Sequence, residues 1–221
     1  MAAIADRSRF ILENTRFVAP PLVPEISLHL AEESVPIWEK TEEELGEMGL
    51  PPPYWAFAWA GGQALARYLL DNPGLIHGKS VLDLAAGSGL DAIAAMHAGA
   101  RSALAVDIDD FAIAAIALNA RDNAVAVAAS NQDVLSGPPS DAEIILAGDL
   151  FYEKPLAERA LVWLRACQAE GALVLVGDPG RSYFRKSEFD PLAHYGVPVT
   201  RELEDSTIKQ TTVWRLRAST A

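Results

Sequence analysis

A glycine-rich turn between an apolar strand and a helix is the first segment whose residues could do chemistry. The stretch Val81-Leu-Asp-Leu-Ala-Ala-Gly-Ser-Gly-Leu90 places Gly87 and Gly89 in this turn. Such a turn lets a ligand approach the backbone at a helix N-terminus. Asp107 ends the next apolar strand about 20 residues further on, where a carboxylate can accept both hydroxyls of a ribose. The spacing therefore predicts a ligand that contains a nucleoside.

The residues around the turn narrow the class of ligand. A dinucleotide site requires glycines in the pattern GxGxxG, but the positions that flank Gly87 in that pattern are Ala85 and Leu90. Asp83 precedes the turn, and a carboxylate there would repel a pyrophosphate and attract a cation. The pattern disfavours a nicotinamide-dependent oxidoreductase. The alternative that the glycines only turn the chain is disfavoured because the spacing and both acids agree.

A second candidate segment follows the apolar strand 144–146, where Asp149 and Tyr152 occur three residues apart. Ligands of open α/β sheets bind outside the carboxyl ends of the strands, so both side chains are expected near the ligand's reactive end. In the alternative interpretation, Phe151 and Tyr152 are core aromatics. The stretch 178–181 ends a further strand at the same edge, as either a substrate-side loop or a structural turn.

The elements that must position these residues alternate between apolar strands and helices. We predict strands over 80–84, 103–106, 125–129, 144–146 and 172–176, and helices over 62–71, 91–98, 111–119 and 155–167. Apolar strands joined by helices imply a parallel sheet that is covered on both faces. Near the C-terminus, 197–203 and 211–216 flank a polar loop and predict an antiparallel hairpin that closes the sheet.

Residues 1–58 differ from the rest and are predicted to form an N-terminal extension packed on a domain of residues 59–221. Ile26, Leu28 and Leu30 alternate with polar residues, as in a short strand. The stretch 36–46 predicts a short acidic helix with proline in its first turn. Its glutamates are interpreted as a solvated face, with a docking surface for a basic substrate as the alternative.

Charge and composition exclude several classes of function. The 221 residues carry 30 acids and 18 bases, a net charge of −12, so we expect neither nucleic acid nor an anionic membrane as a partner. The apolar runs are shorter than the roughly 18 residues of a membrane span. No secretory signal is recognisable. The four scattered histidines and the single cysteine, Cys167, predict no metal site. We expect a cytoplasmic monomer.

The glycine turn with its acids resembles motif I of class I S-adenosylmethionine-dependent methyltransferases. The resemblance implies a Rossmann-like α/β sheet of seven strands with a C-terminal antiparallel hairpin. It also implies S-adenosylmethionine as the cofactor and S-adenosylhomocysteine as the product. By this resemblance Asp83 lies near the methionine end, Gly87 and Gly89 allow close approach, Asp107 holds the ribose, and Asp133 lies beside the adenine.

Longer motifs make the resemblance more specific. Asp149-x-x-Tyr152 resembles a branch of protein lysine methyltransferases, and with 52–71 and 177–181 the chain resembles the lysine methyltransferases of the electron-transfer-flavoprotein β subunit over about 20–217. This family implies a protein substrate, namely that flavoprotein subunit, and its bacterial members imply a ribosomal stalk protein as a further substrate. It also implies that Trp59 lies along the cofactor and that Gly148 lines its pocket. Trp55 is assigned to the core. The short N-terminus fits a bacterial member.

The resemblance also sets the expected chemistry. A free lysine has a pKa near 10.4 and is an ammonium at neutral pH. A nearby carboxylate favours that charged form, so Asp149 is expected to hold and aim the amine rather than to remove its proton. Two alternatives remain: a small-molecule N-methyltransferase on the same fold, and a non-catalytic module that binds S-adenosylmethionine.

Overall fold

The described part of the chain comprises residues 6–31, 52–199 and 207–218 of a computed structural model. Its elements run in the order α1 (Arg7–Asn14), β1 (Arg16–Val18), β2 (Leu28–Leu30), α2 (Ala60–Asp71), α3 (Pro73–Ile76), β3 (Ser80–Leu84), α4 (Leu90–His97), β4 (Ser102–Val106), α5 (Asp110–Asp122), β5 (Ala128–Ser130), β6 (Ile144–Gly148), α6 (Lys154–Ala169), β7 (Leu173–Asp178), β8 (Phe189–Pro198) and β9 (Ile208–Leu216).

The main sheet has seven strands among the described residues, in the order β5-β4-β3-β6-β7-β9-β8. β3 is central and parallel to both neighbours, with Val81 paired to Ala103 on one side and to Ile144 on the other. β9 runs antiparallel between β7 and β8. The prediction of a Rossmann-like α/β sheet of seven strands with a C-terminal antiparallel hairpin is confirmed.

The apolar strands are buried because helices cover both faces of the sheet. Val81 contributes to a core cluster with Leu65 of α2 and Ile93 of α4. The next residue of β3, Leu82, contributes to a second cluster on the other face, together with Leu164 of α6. Burying each such side chain contributes about 1.5–3 kcal/mol. Covered faces explain why the strand sequences show no polar alternation.

The hairpin strand β8 begins earlier than the sequence indicates. We expected its first strand at 197–203, whereas β8 runs over Phe189–Pro198, and residues 200–206 lie outside the described part of the chain. The sequence is misleading because Pro191 and Gly196 are poor strand formers. β8 is an edge strand with a register shift between Pro191 and Ala193, and such positions tolerate proline.

Smaller corrections concern other elements. The strand expected at 125–129 is the shorter β5, Ala128–Ser130, while Val125 and Val127 pack against the core. α1 and β1 were not expected. The predicted acidic helix at 36–46 falls outside the described residues. No helix in the described ranges is long and apolar enough to cross a membrane.

The N-terminal residues 6–31 pack along α5. Phe10 of α1 contacts the ring of Phe111 edge-on at 5.4 Å, and Arg7 forms a 2.7 Å ion pair with Asp110. β2 pairs with β1, and its His29 amide donates to the buried Oδ1 of Asn119 at 2.8 Å. The division of the chain at residue 58 stays a prediction.

Candidate active site

A cavity of about 480 Å³ lies at the carboxyl ends of the parallel strands. Its walls come from the segments that follow β3, β4, β5, β6 and β7 and from the segment before α2. Eight of the nine site residues singled out from the sequence line it, namely Trp59, Asp83, Gly87, Asp107, Asp133, Gly148, Asp149 and Tyr152. The ninth, Gly89, is not among the lining residues. The strand edge thus brings together residues that are far apart in the sequence.

The two glycines of the turn have different tasks. Gly87 has a φ of +52°, and a Cβ built there would meet nothing closer than 3.7 Å, so its backbone is open toward the cavity. Gly89, with a φ of +81°, caps α4, and a Cβ there would approach the Ile116 side chain to 3.1 Å. Gly87 therefore gives access to a ligand, whereas Gly89 lets α4 pack on α5.

Asp107 is already oriented by backbone amides. Its Oδ2 accepts from the Gly87 amide at 2.9 Å and its Oδ1 from the Asp109 amide at 3.0 Å. Burial raises the pKa of its carboxyl, and the two amide bonds partly offset this effect. A carboxylate that is held in this way at the end of β4 is suited to accept hydroxyls of a ribose.

Asp133 lies at the far end of the cavity and is exposed. Its Oδ2 accepts from Arg159 Nη2 at 2.6 Å and from Ser136 Oγ at 2.8 Å. The hydrogen bond from Arg159 is the main cause of the lowered pKa of this carboxyl. Asp133 therefore fixes the loop after β5, and its side chain is already engaged.

Asp149 is the most firmly held side chain of the cavity. Its Oδ2 accepts from the amides of Gly61 and Gly62 at the start of α2. Its Oδ1 accepts from Arg181, with Nε at 2.8 Å and Nη2 at 2.6 Å. The residue has a φ of +53°, a conformation that favours Asn, Asp or Gly.

The loop after β7 positions Arg181. Asp178 accepts from the Gly180 amide at 2.6 Å and from the Arg181 amide at 2.8 Å through its Oδ1. Burial raises the pKa of Asp178 to about 6. The Arg181 guanidinium also lies over the ring of Trp59, 5.7 Å from its centre. The stretch 178–181 is thus a structural turn that also delivers a side chain to the cavity.

Aromatic rings surround the mouth of the cavity next to Asp149. Tyr54 lies 5.5 Å from Tyr152 and 6.0 Å from Trp59, measured between ring centres. Tyr152 is 45% exposed, and partial burial raises its pKa to about 12, so its hydroxyl is neutral. Trp55 stacks on Phe111 in the core and also borders the cavity.

Sequence reasoning missed several residues that shape the site. Tyr54 and Gly61 were part of a motif, but no role was assigned to them. Arg181 lies in the stretch 178–181, and its partner Asp149 could not be predicted from the sequence. Asp91 of α4 was not considered, although an acid in the otherwise apolar stretch 90–96 is a visible signal. It is buried, and its Oδ1 has no hydrogen-bond partner. Burial and the charges of Asp83 and Asp149 hold the pKa of its carboxyl well above the usual range.

Comparisons with known proteins show the family to which the chain belongs. Residues 64–175, about half of the chain, match the family model described as Ribosomal protein L11 methyltransferase (PrmA). The electron transfer flavoprotein beta subunit lysine methyltransferase of Danio rerio is 40% identical over 217 residues, 95% of this chain and 83% of the relative. The protein of the same name from Homo sapiens is 38% identical over 212 residues, 93% of this chain and 80% of the relative.

Solved structures show the same fold at low identity. The ribosomal protein L11 methylase from Lactobacillus delbrueckii subsp. bulgaricus has a TM-score of 0.51 and 22% identity over 73% of this chain and 81% of that chain. The magnesium protoporphyrin IX methyltransferase from Synechocystis PCC 6803, with bound SAM, has a TM-score of 0.51 and 14% identity. The match covers 82% of this chain and 95% of that chain.

The fold, the cavity and these matches define a class I S-adenosylmethionine-dependent methyltransferase. More particularly, the chain belongs to the electron transfer flavoprotein beta subunit lysine methyltransferase family of protein lysine methyltransferases, and its core belongs to the PrmA family. The residues present fit the cofactor. The backbone at Gly87 is open, Asp107 is oriented for hydroxyls, and the buried Asp91 offers an acceptor for a cationic donor.

Proposed function

We propose that this enzyme methylates lysine side chains of an electron-transfer-flavoprotein β subunit. Relatives with this name match nearly the whole chain, and this similarity carries the proposal. A ribosomal stalk protein is proposed as a second substrate, because the methyltransferase core matches the PrmA model. The support for it is weaker: a ribosomal protein L11 methyltransferase from Deinococcus radiodurans matches 52% of this chain and 45% of its own length.

The site residues are proposed to act as follows. S-adenosylmethionine, when bound, supplies a methyl group on a sulfonium that a neutral amine can attack. Trp59, Gly87, Asp107, Asp133 and Gly148 bind the cofactor along the strand edge, and Gly89 shapes the turn. Asp83 is buried beside the glycine turn at the methionine end. Asp149 and Tyr152 face the incoming lysine.

The ion pair between Asp149 and Arg181 suits the chemistry of a lysine. An isolated carboxylate would favour the ammonium form, which has no lone pair for attack. Arg181 balances the charge of Asp149 at 2.6 Å, and its own positive charge disfavours a second cation nearby. Asp149 can therefore aim the amine while Arg181 lowers the pKa of that amine. The proton leaves to water at the open mouth.

The aromatic mouth is suited to guide a lysine side chain. Tyr54 and Tyr152 are each about two-fifths exposed, and with Trp59 they border the entrance beside Asp149. Aromatic rings pack against the methylene stem of lysine and attract cationic amines through their π faces. This arrangement favours a side chain that protrudes from a protein.

The test is transfer of labelled methyl groups from S-adenosylmethionine to purified flavoprotein β subunit, with a ribosomal stalk protein and a cell extract assayed in parallel. Asp149→Asn removes the carboxylate charge but keeps a residue that tolerates a φ of +53°. We expect it to bind the cofactor within about threefold of the unaltered enzyme and to lose about 100-fold or more in kcat/KM.

The exposed Asp141→Asn provides a matched control with the same chemical change outside the cavity, and it should leave the rate unchanged. Label on lysines of the flavoprotein subunit that disappears with Asp149→Asn supports the proposal. Label on other proteins alone would replace the named target. Label on small metabolites alone, or cofactor binding without any transfer, would support a small-molecule methyltransferase or a non-catalytic module.

A further inference from the structure

The carboxylate of Asp91 is buried against the cavity, and one of its two oxygens has no hydrogen-bond partner. Its side chain belongs to the first turn of α4, is 5% exposed and lines the cavity. Its Oδ1 has no hydrogen-bond partner. A buried acceptor that stays unpaired costs about 1–3 kcal/mol, and more when it is charged. Such an atom in a ligand cavity indicates that the ligand supplies a donor.

The neighbours of Asp91 make the need for a cation clearer. Asp83 and Asp149 both act on it as negative charges. The cation at this end of the cavity among the described residues is Arg181, and it forms its ion pair with Asp149. Asp83 accepts from the Ala92 amide at 3.0 Å through Oδ2, and Asp91 has a backbone hydrogen bond at Ala66, which leaves Oδ1 of Asp91 as the unpaired oxygen. A positive group of the ligand at this end of the cavity would therefore compensate the negative charge of Asp91 at Oδ1.

The position of Asp91 tells which part of the cofactor it faces. A Cβ added to Gly148 at the end of β6 would come within 3.0 Å of Asp91 Oδ2. The hydroxyl-accepting Asp107 follows β4, on the other side of β3. If the ribose lies at Asp107, the methionine part extends over the ends of β3 and β6, where Asp91 lies.

We propose that Asp91 binds the α-ammonium group of the cofactor's methionine part. An unpaired carboxylate oxygen requires a hydrogen-bond donor; the α-ammonium has three N–H groups, whereas the sulfonium has none. The substrate lysine enters at the exposed aromatic mouth, while Asp91 is more than nine-tenths buried. This assignment depends on the cofactor and not on the identity of the protein substrate.

The experiment compares the affinities of three ligands by calorimetry. S-adenosylmethionine has both the ammonium and the sulfonium, S-adenosylhomocysteine has the ammonium alone, and 5′-methylthioadenosine has neither. Asn keeps an acceptor oxygen but removes the negative charge, and losing a charge-assisted interaction weakens binding by about 10- to 100-fold. We expect Asp91→Asn to weaken the first two ligands to that extent and to leave 5′-methylthioadenosine within about twofold. The exposed Asp141→Asn should leave all three affinities unchanged.

Three results would overturn the assignment. Unchanged affinity for all three ligands would make Asp91 a structural residue. Weakening of S-adenosylmethionine alone would point to the sulfonium, and equal weakening of all three ligands would indicate general damage to the cavity. If Asp91→Asn does not fold, the proposal is tested by the carbon-13 NMR chemical shift of the Asp91 carboxyl in the unaltered chain. It should move on addition of S-adenosylhomocysteine and stay constant with 5′-methylthioadenosine; no movement with either ligand contradicts the proposal.

Discussion

The contact between the start of α2 and the ends of β6 and β7 leaves no room for a side chain at Gly61. A Cβ there would lie 2.7 Å from the Asp149 amide nitrogen and would overlap Asp149 Oδ2 and the Gly177 carbonyl oxygen. Ordinary contacts begin at 3.4 Å, so the backbone must separate by about 1 Å at the residue that we propose aims the amine. The Gly177 oxygen and the Asp149 nitrogen are both backbone atoms, so they cannot move aside as the end of a flexible side chain could.

Gly61→Ala should therefore damage both stability and turnover. Forcing an extra methyl group into a packed contact costs about 1–3 kcal/mol of unfolding free energy. A displacement of about 1 Å at Asp149 lowers kcat/KM by about 100-fold. Urea unfolding and the methyl-transfer assay measure the two effects. Gly74→Ala is the control, since nothing lies within 4 Å of a Cβ there. A Gly61→Ala enzyme within about 0.5 kcal/mol and threefold of the unaltered one would refute this reasoning.

Two further predictions concern buried polar groups. Asn119→Ala leaves the His29 amide and the Ser88 carbonyl without their partner at 2.8 Å each, so we expect a loss of about 2–4 kcal/mol in urea unfolding. The exposed Asn131→Ala should cost less than about 1 kcal/mol, and equal losses in both variants would contradict the bridging role. Burial, followed by the charge of Asp107, raises the pKa of Asp83 from 3.8 to about 7. Its contribution to stability is therefore complete below pH 4 and is lost as the pH rises toward 7. Asp83→Asn should flatten the pH dependence of the unfolding free energy there by up to about 1.4 kcal/mol per pH unit, and an unchanged slope would count against it.

The central elements of the fold could be predicted because their signals are local. β3 contains the apolar residues Val81, Leu82 and Leu84 and ends at the glycine turn, and its predicted bounds of 80–84 agree with the structure. α5 begins one residue before the expected 111–119, where the Asp109 side chain caps its first turn at Phe111, and it continues three residues further, to Asp122. α1 gives little signal, since Ile11 is its buried residue. β8 contradicts local preference because pairing with β9 stabilises it.

The positions of the candidate site residues could be predicted because parallel strands share one edge. A carboxylate after β3, β4 or β6 must lie near the same cavity, whatever its local sequence. The partners of these residues could not be predicted, because they come from distant segments. The amides that hold Asp149 are separated from it by 88 and 87 residues, and Arg181 by 32. Asp91 could not be recognised as a site residue from the sequence. Its neighbours come from α2 and β6, and only the structure shows that its Oδ1 has no hydrogen-bond partner.

The N-terminal segment 6–31 is connected by hydrogen bonds to the glycine turn of the candidate cofactor site. Asn119 of α5 is fully buried and joins two otherwise separate pieces of chain. Its Oδ1 accepts from the His29 amide of β2, and its Nδ2 donates to the Ser88 carbonyl in the glycine turn. The Asn119 amide bonds to both segments at once. A displacement of β2 would therefore shift Asn119 and break its hydrogen bond to the Ser88 carbonyl beside Gly87. We therefore expect residues 6–31 to influence cofactor binding through Asn119, although they do not line the cavity.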